Sequence, residues 1–199
     1  VPFQDSDLSS GALRRERKTR WIRRPAASAG QFDTEDNFMQ NAKDSFYGAL
    51  RTRLTALSPE RTVLLRGALR PGILVEDAEA PFSQLPNDVF VLRWVGLGAD
   101  VDLGATMVAE ECEIVYQTCG TQAFGGLDRG RLLSAMDEEI LALLDPFWTQ
   151  KLNYTVQPAA TMLTKVFWDE PVFTPAVTQR DRMGRSVKVM IYSYQEQGE

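Results

Sequence analysis

The residues best placed to do chemistry are carboxylates: Asp100 and Asp102, followed by Glu110 and Glu111. A cluster of that kind can hold a divalent cation through its oxygens. The spacing matches no EF-hand loop, and a solvated acidic loop is the plainer meaning. The chain has no histidine, so it lacks the usual general base near neutral pH and the commonest metal ligand. Ser-His and Cys-His pairs are thereby impossible, and no Gly-x-Ser-x-Gly elbow occurs. Cys112 and Cys119 are the only cysteines, too few for a disulfide framework or a four-thiolate zinc site. On one continuous strand they would face opposite sides, and two free thiols in a reducing compartment are expected.

Two glycine-rich stretches invite a phosphate reading. "GLGADVDLG" has Gly-x-Gly after a strand-like run, but Val101 stands where the third glycine of a dinucleotide fingerprint belongs, and no clear helix follows. "GTQAFGGLDRG" precedes a helix, where backbone N–H groups can cradle an anion. It lacks the Lys-Ser/Thr pair of a P-loop, and Asp128 would repel phosphate, so turn geometry explains its glycines. No catalytic, cofactor-binding or metal site is expected. A catalytic pair of acids is left open, with nothing to select one.

The strongest local signal is "RRERKTRWIRRP", with seven basic residues and one acid in the eleven positions before the proline. Three readings stand for Arg14, Arg15, Arg17, Lys18, Arg20, Trp21, Ile22, Arg23 and Arg24. The first is a nucleic-acid arm, with Trp21 stacking on a base. The second is a partner-binding segment in which arginines pair with an acidic neighbour and Trp21 and Ile22 fill apolar pockets. The third is a solvated tail. Charge distribution weighs on the choice. Residues 1–36 carry seven Lys/Arg and six Asp/Glu, whereas the remainder carries 15 and 21, for a net charge of -5 over 199 residues. A body that acidic will not track a phosphate backbone over its whole surface.

The elements that must position these groups begin near Asn37. Residues 1–36 read as an extended arm with a flexible "PAASAGQ" connector, and 37–199 as the folded domain. Phe38, Ala42, Phe46, Ala49, Leu50, Leu54 and Leu57 recur at helical spacing, with Asp36 or Asn37 to cap the start and Ser58-Pro59 to end the run. "TVLLRGAL" and "GILVE" flank a turn expected at Arg70-Pro71-Gly72. "DVFVLRWVGL" is apolar on both sides and reads as a central strand. "ECEIVYQTC" alternates Cys112, Ile114 and Tyr116 against Glu113, Val115 and Gln117. The intervening "GLGADVDLGATMVAE" is expected to be a long connection with a mobile loop. Leu132, Leu133, Met136, Ile140, Leu143, Leu144 and Phe147 make a second helical stripe, with Asp128 near its start and Asp137, Glu138 and Glu139 on the solvent side. "KVFWDEPVF" and "SVKVMIYSYQ" supply two closing strands. The order predicts an α+β fold: a mostly antiparallel sheet packed by two amphipathic helices, with an extended N-terminal arm. With 44% hydrophobic residues and four tryptophans the chain can form a sizeable core. No apolar run approaches the roughly 18–20 residues of a membrane span. The acidic start "VPFQDSDLSS" does not read as a secretory signal.

This order resembles the tail-terminator, or tail-completion, proteins of long-tailed phages and tail-like particles. The resemblance rests on "NFMQNAKDSFYGALRTRLTAL", "ECEIVYQTCGTQ", "RLLSAMDEEILALLDP" and "VKVMIYSYQ", and spans residues 37–195. It is one of pattern and order, without a short diagnostic motif. It implies a non-catalytic virion protein, assembled in the host cytoplasm, that forms a ring typically of six subunits. The ring would seat on the tail tube protein, stop its polymerisation, and join the tail to neck or head-completion proteins, with the sheath as a further neighbour. DNA would be passing cargo in the lumen, and no membrane is involved. An arm outside the compact family pattern would reach a protein neighbour. Another head-tail connector, or a nucleic-acid-binding module acting through the arm, is the alternative.

Overall fold

The computed structural model describes residues 36–76, 84–102 and 105–196. Among these the fold is α+β: two long helices lie on one side of a mainly antiparallel sheet. The first helix, α1 (Asp36–Leu57), buries Ala42, Phe46, Leu50 and Leu54 completely, as three- and four-residue spacing requires. It stops at Ser58, whose N–H still reaches the Leu54 carbonyl at 2.8 Å. Leu57, expected on the buried stripe, is more than half exposed.

A hairpin follows, β1 (Thr62–Leu65) and β2 (Ala68–Pro71), then β3 (Ile73–Val75). The turn expected at Arg70-Pro71-Gly72 is therefore misplaced. Arg66 and Gly67 make it, both at positive φ (49° and 78°), which suits the twist of a two-residue hairpin loop. Pro71 instead ends β2, and Gly72 passes tightly over Arg61, where a Cβ would meet the Arg61 side chain at 2.9 Å.

The sheet runs β3–β4–β5–β10–β7–β6, with β4 (Phe90–Asp102), β5 (Ala105–Thr118), β6 (Trp148–Asn153), β7 (Ala160–Trp168) and β10 (Arg182–Tyr194). Short strands β8 (Val172–Phe173) and β9 (Val177–Gln179) also pair with β10. Only β3 and β4 are parallel. The reading of 96–110 as a loop is corrected here. Both arms stay paired to Asp102↔Ala105, and β10 continues along β5 as far as Tyr194↔Met107. The glycines and aspartates hid the alternation, but the ladder on both sides of β5 fixes the backbone. Strand β4 is central only near its start, since β3 flanks it from Phe90 to Leu92 alone.

The second helix, α2 (Arg129–Leu144), buries Leu133, Met136, Ile140, Leu143 and Leu144. Phe147 lies beyond the helix and is exposed, a second correction. The inner face of the sheet offers Phe90, Leu92, Cys112, Ile114, Tyr116, Val166, Trp168, Val187, Val189 and Ile191 to the helices. Phe46 sits at the centre, edge-on to Trp94 (6.1 Å) and Trp168 (5.1 Å). After α2 come five strands where two were expected. The missed β6 and the residue after it are held by α1: Ser45 Oγ accepts from Leu152 N–H (2.9 Å) and Asn41 Oδ1 from Tyr154 N–H (3.2 Å).

Candidate functional site

The four acids first singled out do not converge. Asp100 and Asp102 lie opposite Met107 and Ala105, farther along the ribbon than Glu110, which faces Leu97. Glu110 and Glu111, as sequence neighbours, point to opposite sheet faces. Glu110 meets Lys43 of α1 at 2.8 Å, and Glu111 meets Lys188 of β10 at 2.6 Å. Burial pushes the Glu110 carboxyl above its ordinary range, and the bond and charge of Lys43 oppose that shift. Among the described residues no group of three or more His, Cys, Asp or Glu could hold a metal ion. Cys112 is buried in the core and Cys119 half-buried just past β5; both are free thiols. Burial, with Glu110 nearby, drives the Cys112 thiol strongly upward, away from the reactive thiolate.

The glycine-rich turn before α2 is closed on itself. Asp128 caps the helix only by position. Its carboxylate turns back to accept from Thr121 N–H (2.9 Å) and Oγ–H (2.7 Å), bonds that hold its pKa below the ordinary value. Gly120 stands at φ +79°, and a Cβ there would lie 2.7 Å from the Gly126 Cα. The other glycine stretch holds Gly96 and Gly98 within β4, with no helix after it.

Two acids of α2 expected in solvent are structural. Tyr116 Oη–H donates to Asp137, which also holds Arg185 at 3.3 Å. Ser58 donates to Glu139, which pairs with Arg61 at 2.6 Å. Arg53 donates to the carbonyls of Leu143 (2.8 Å), Pro146 (3.2 Å) and Trp148 (3.1 Å), tying α1 to the end of α2. A groove of about 790 Å³ between α1 and the β3–β4 edge is lined by Lys43, Tyr47, Glu76, Arg93, Trp94 and Glu110 among others. Four of its charges pair internally, Lys43 with Glu110 and Arg93 with Glu76, and Asp44 accepts from the Gln40 amide at 2.9 Å.

The described body also leaves a set of large apolar side chains bare. The outer face of the sheet, opposite the helices, falls into three zones. At one end Val63 and Leu65 of the hairpin cover Leu74, Val89 and Val91, which leaves the hairpin's other side bare. There Leu64 and Leu69 face each other across the strands, each nearly 70% exposed (68% and 69%). The middle carries ions, including Arg93, Glu113, Lys188 and Glu111. At the other end Trp148, Phe167 and Tyr192 line up across β6, β7 and β10. Leu163 follows two places along the same strand from Lys165 and is 96% exposed. Lys165 lies 3.8 Å over the Trp148 ring, and Tyr192 Oη–H donates to Asp169 at 2.5 Å; burial first, then the bond to and charge of Asp169, raise the Tyr192 hydroxyl to about 12. Sequence reasoning passed over these positions. The available signal was that β7 is apolar on both sides, Leu163 and Phe167 against Val166 and Trp168.

The basic run, Arg14, Arg15, Arg17, Lys18, Arg20, Trp21, Ile22, Arg23 and Arg24, lies outside the described residues. No helix among the described residues is long and apolar enough to cross a membrane. No family model matches the chain, and no curated protein matches it. Among solved structures, a chain from the virion of a native gene transfer agent particle is similar at 10% identity. The match covers 83% of this chain and 100% of that one, with a TM-score of 0.37. At that level it carries no argument about function.

Proposed function

We propose that this protein is a non-catalytic structural component of a phage tail or tail-like particle, a ring-forming tail terminator. One observation carries the reading: ion pairs inside the chain hold Lys43, Glu110, Arg93 and Glu76 of the groove beside α1, while the β1–β2 hairpin and the β6–β7 end of the main sheet present bare apolar side chains. Surfaces of that kind belong to assembly rather than to small-molecule chemistry. The element order supports it, since helix, strands, helix, strands is the order on which the resemblance to tail terminators rests. In this role the ring seats on the tail tube, stops its growth and receives neck or head-completion proteins. A closed ring uses two unlike patches on each subunit.

The test is the mass and shape of the purified full chain, alone and with the tube protein of its particle. Light scattering is expected to give a several-fold multiple of 22.3 kDa, and negative-stain images to show rings. A strictly monomeric protein in both conditions overturns the reading. A second reading, nucleic-acid binding through the arm, is favoured by its seven basic residues and Trp21. It expects binding to DNA or RNA that weakens with salt and vanishes when residues 1–30 are removed.

A further inference from the structure

We propose that the two apolar ends of the outer sheet face bind each other between successive copies of this chain, so that the β1–β2 hairpin of one subunit docks on the β6–β7 surface of the next. This rests on the ring reading and names the surfaces that would build the ring. The occupant of each patch is a second copy, for two reasons.

The first is chemical complementarity. The hairpin offers Leu64 and Leu69 on its outward face with exposed Arg66 at the tip, while exposed Arg70 lies opposite Val63 on the alternate side of the strand. The opposite end offers Trp148, Leu163 and Phe167 together with exposed Asp145, Asp169 and Glu170. The segments that carry Asp145 and Asp169 are joined where Trp168 N–H donates to the Phe147 carbonyl at 3.1 Å. Lys165 is a cation within this zone, but it is held over Trp148. Two apolar centres, one with Arg66 at its tip and the other flanked mainly by acids, match as the core and rim of a protein interface do.

The second is placement. The patches differ in composition, so a contact that joins one to the other pairs unlike surfaces, as a heterologous interface does. They sit at the two ends of the strand order, beside β3 and on β7–β6. A contact from one end of a subunit to the other end of its neighbour is heterologous, and repeated it closes as a ring or runs on as a filament.

The experiment uses the full chain and two paired variants. Leu64→Glu with Leu69→Glu places carboxylates against the acidic end; Leu163→Glu with Phe167→Glu spoils the aromatic end. Each variant alone is expected to lose assembly, raising the concentration for half-assembly about tenfold or more, as for loss of a central anchor. Mixed together, they retain one intact patch each and should yield a species of twice 22.3 kDa that grows no further. Circular dichroism and melting temperature of each variant check that it folds. If a variant does not, the milder exchange serves: Arg66→Glu should weaken assembly, and Asp169→Arg with Glu170→Arg in the mixing partner should restore one contact. Rings that survive both apolar variants overturn this interface while leaving the ring reading intact. Rings that survive them but dissolve when residues 1–35 are removed identify the arm as the occupant instead. A wild-type chain that stays monomeric with and without its tube partner overturns both.

Discussion

The two faces of one sheet follow opposite rules. On the inner face each strand's apolar set meets α1 or α2, and the polar groups that intrude find partners inside the chain. On the outer face only the hairpin end is covered, and the exposed set at the far end includes the largest aromatic side chains. An antiparallel sheet can leave one face to water, and then that face is ordinarily polar. Here it is polar only in the middle. The contrast separates residues that hold the fold from residues the fold holds out for something else.

The sharpest way to break the contrast is at the inner centre. Phe46 is fully buried between two tryptophans, and Phe46→Ala should lower unfolding free energy by about 3–5 kcal/mol in a denaturant titration. Arg53→Met keeps an apolar stem beside Trp168, 5.4 Å from the present guanidinium carbon, but deletes the bonds to three carbonyls. A loss of about 2 kcal/mol is expected by the same measurement. Gly184→Ala probes the β10–β5 ladder, since the new Cβ would lie 2.6 Å from the Tyr116 carbonyl oxygen; overpacking should remove about 1–3 kcal/mol.

Asp128→Asn tests the turn before α2, and its effect should depend on pH. The folded-state pKa of Asp128 is depressed from 3.8 by its two bonds to Thr121, so the ionised carboxylate stabilises the fold above that value. The contribution disappears as pH falls through the folded pKa. The variant should therefore melt below wild type at pH 7, and the gap should close in strong acid. The smallest effect is expected outside: Leu163→Ser or Phe167→Ser should alter the stability of the isolated subunit by about 0.5 kcal/mol or less. If either approaches the inner-face losses, the outer face is part of the core after all and the contrast fails.

The corrections show where local reading stops. Asp137 and Glu139 lie on the flanks of α2's buried stripe, where Tyr116, Arg185, Ser58 and Arg61 come from elsewhere in the chain to meet them. The 96–102 segment looked like a loop because Gly96, Gly98, Asp100 and Asp102 favour turns, but pairing with β5 keeps it extended. In the first case residues far away in sequence made the decision; in the second the facing arm of the same ribbon did, itself held along β10. The arm, Arg14 through Arg24, was the loudest sequence signal, and it lies outside the described residues.

What the sequence by itself determined is the class and the buried pattern: two amphipathic helices, the Cys112–Ile114–Tyr116 and Val187–Val189–Ile191 alternations, and the α+β order. Those follow from periods of 3.6 and 2, which are properties of neighbouring residues. Tertiary structure alone decided which side of the doubly apolar β7 would be covered, where the hairpin would fold, and that Glu110 and Glu111 would part to Lys43 and Lys188. A strand apolar on both sides carries no mark of its inner face. Only the arrival of the helices assigns one, leaving Leu163 and Phe167 outside.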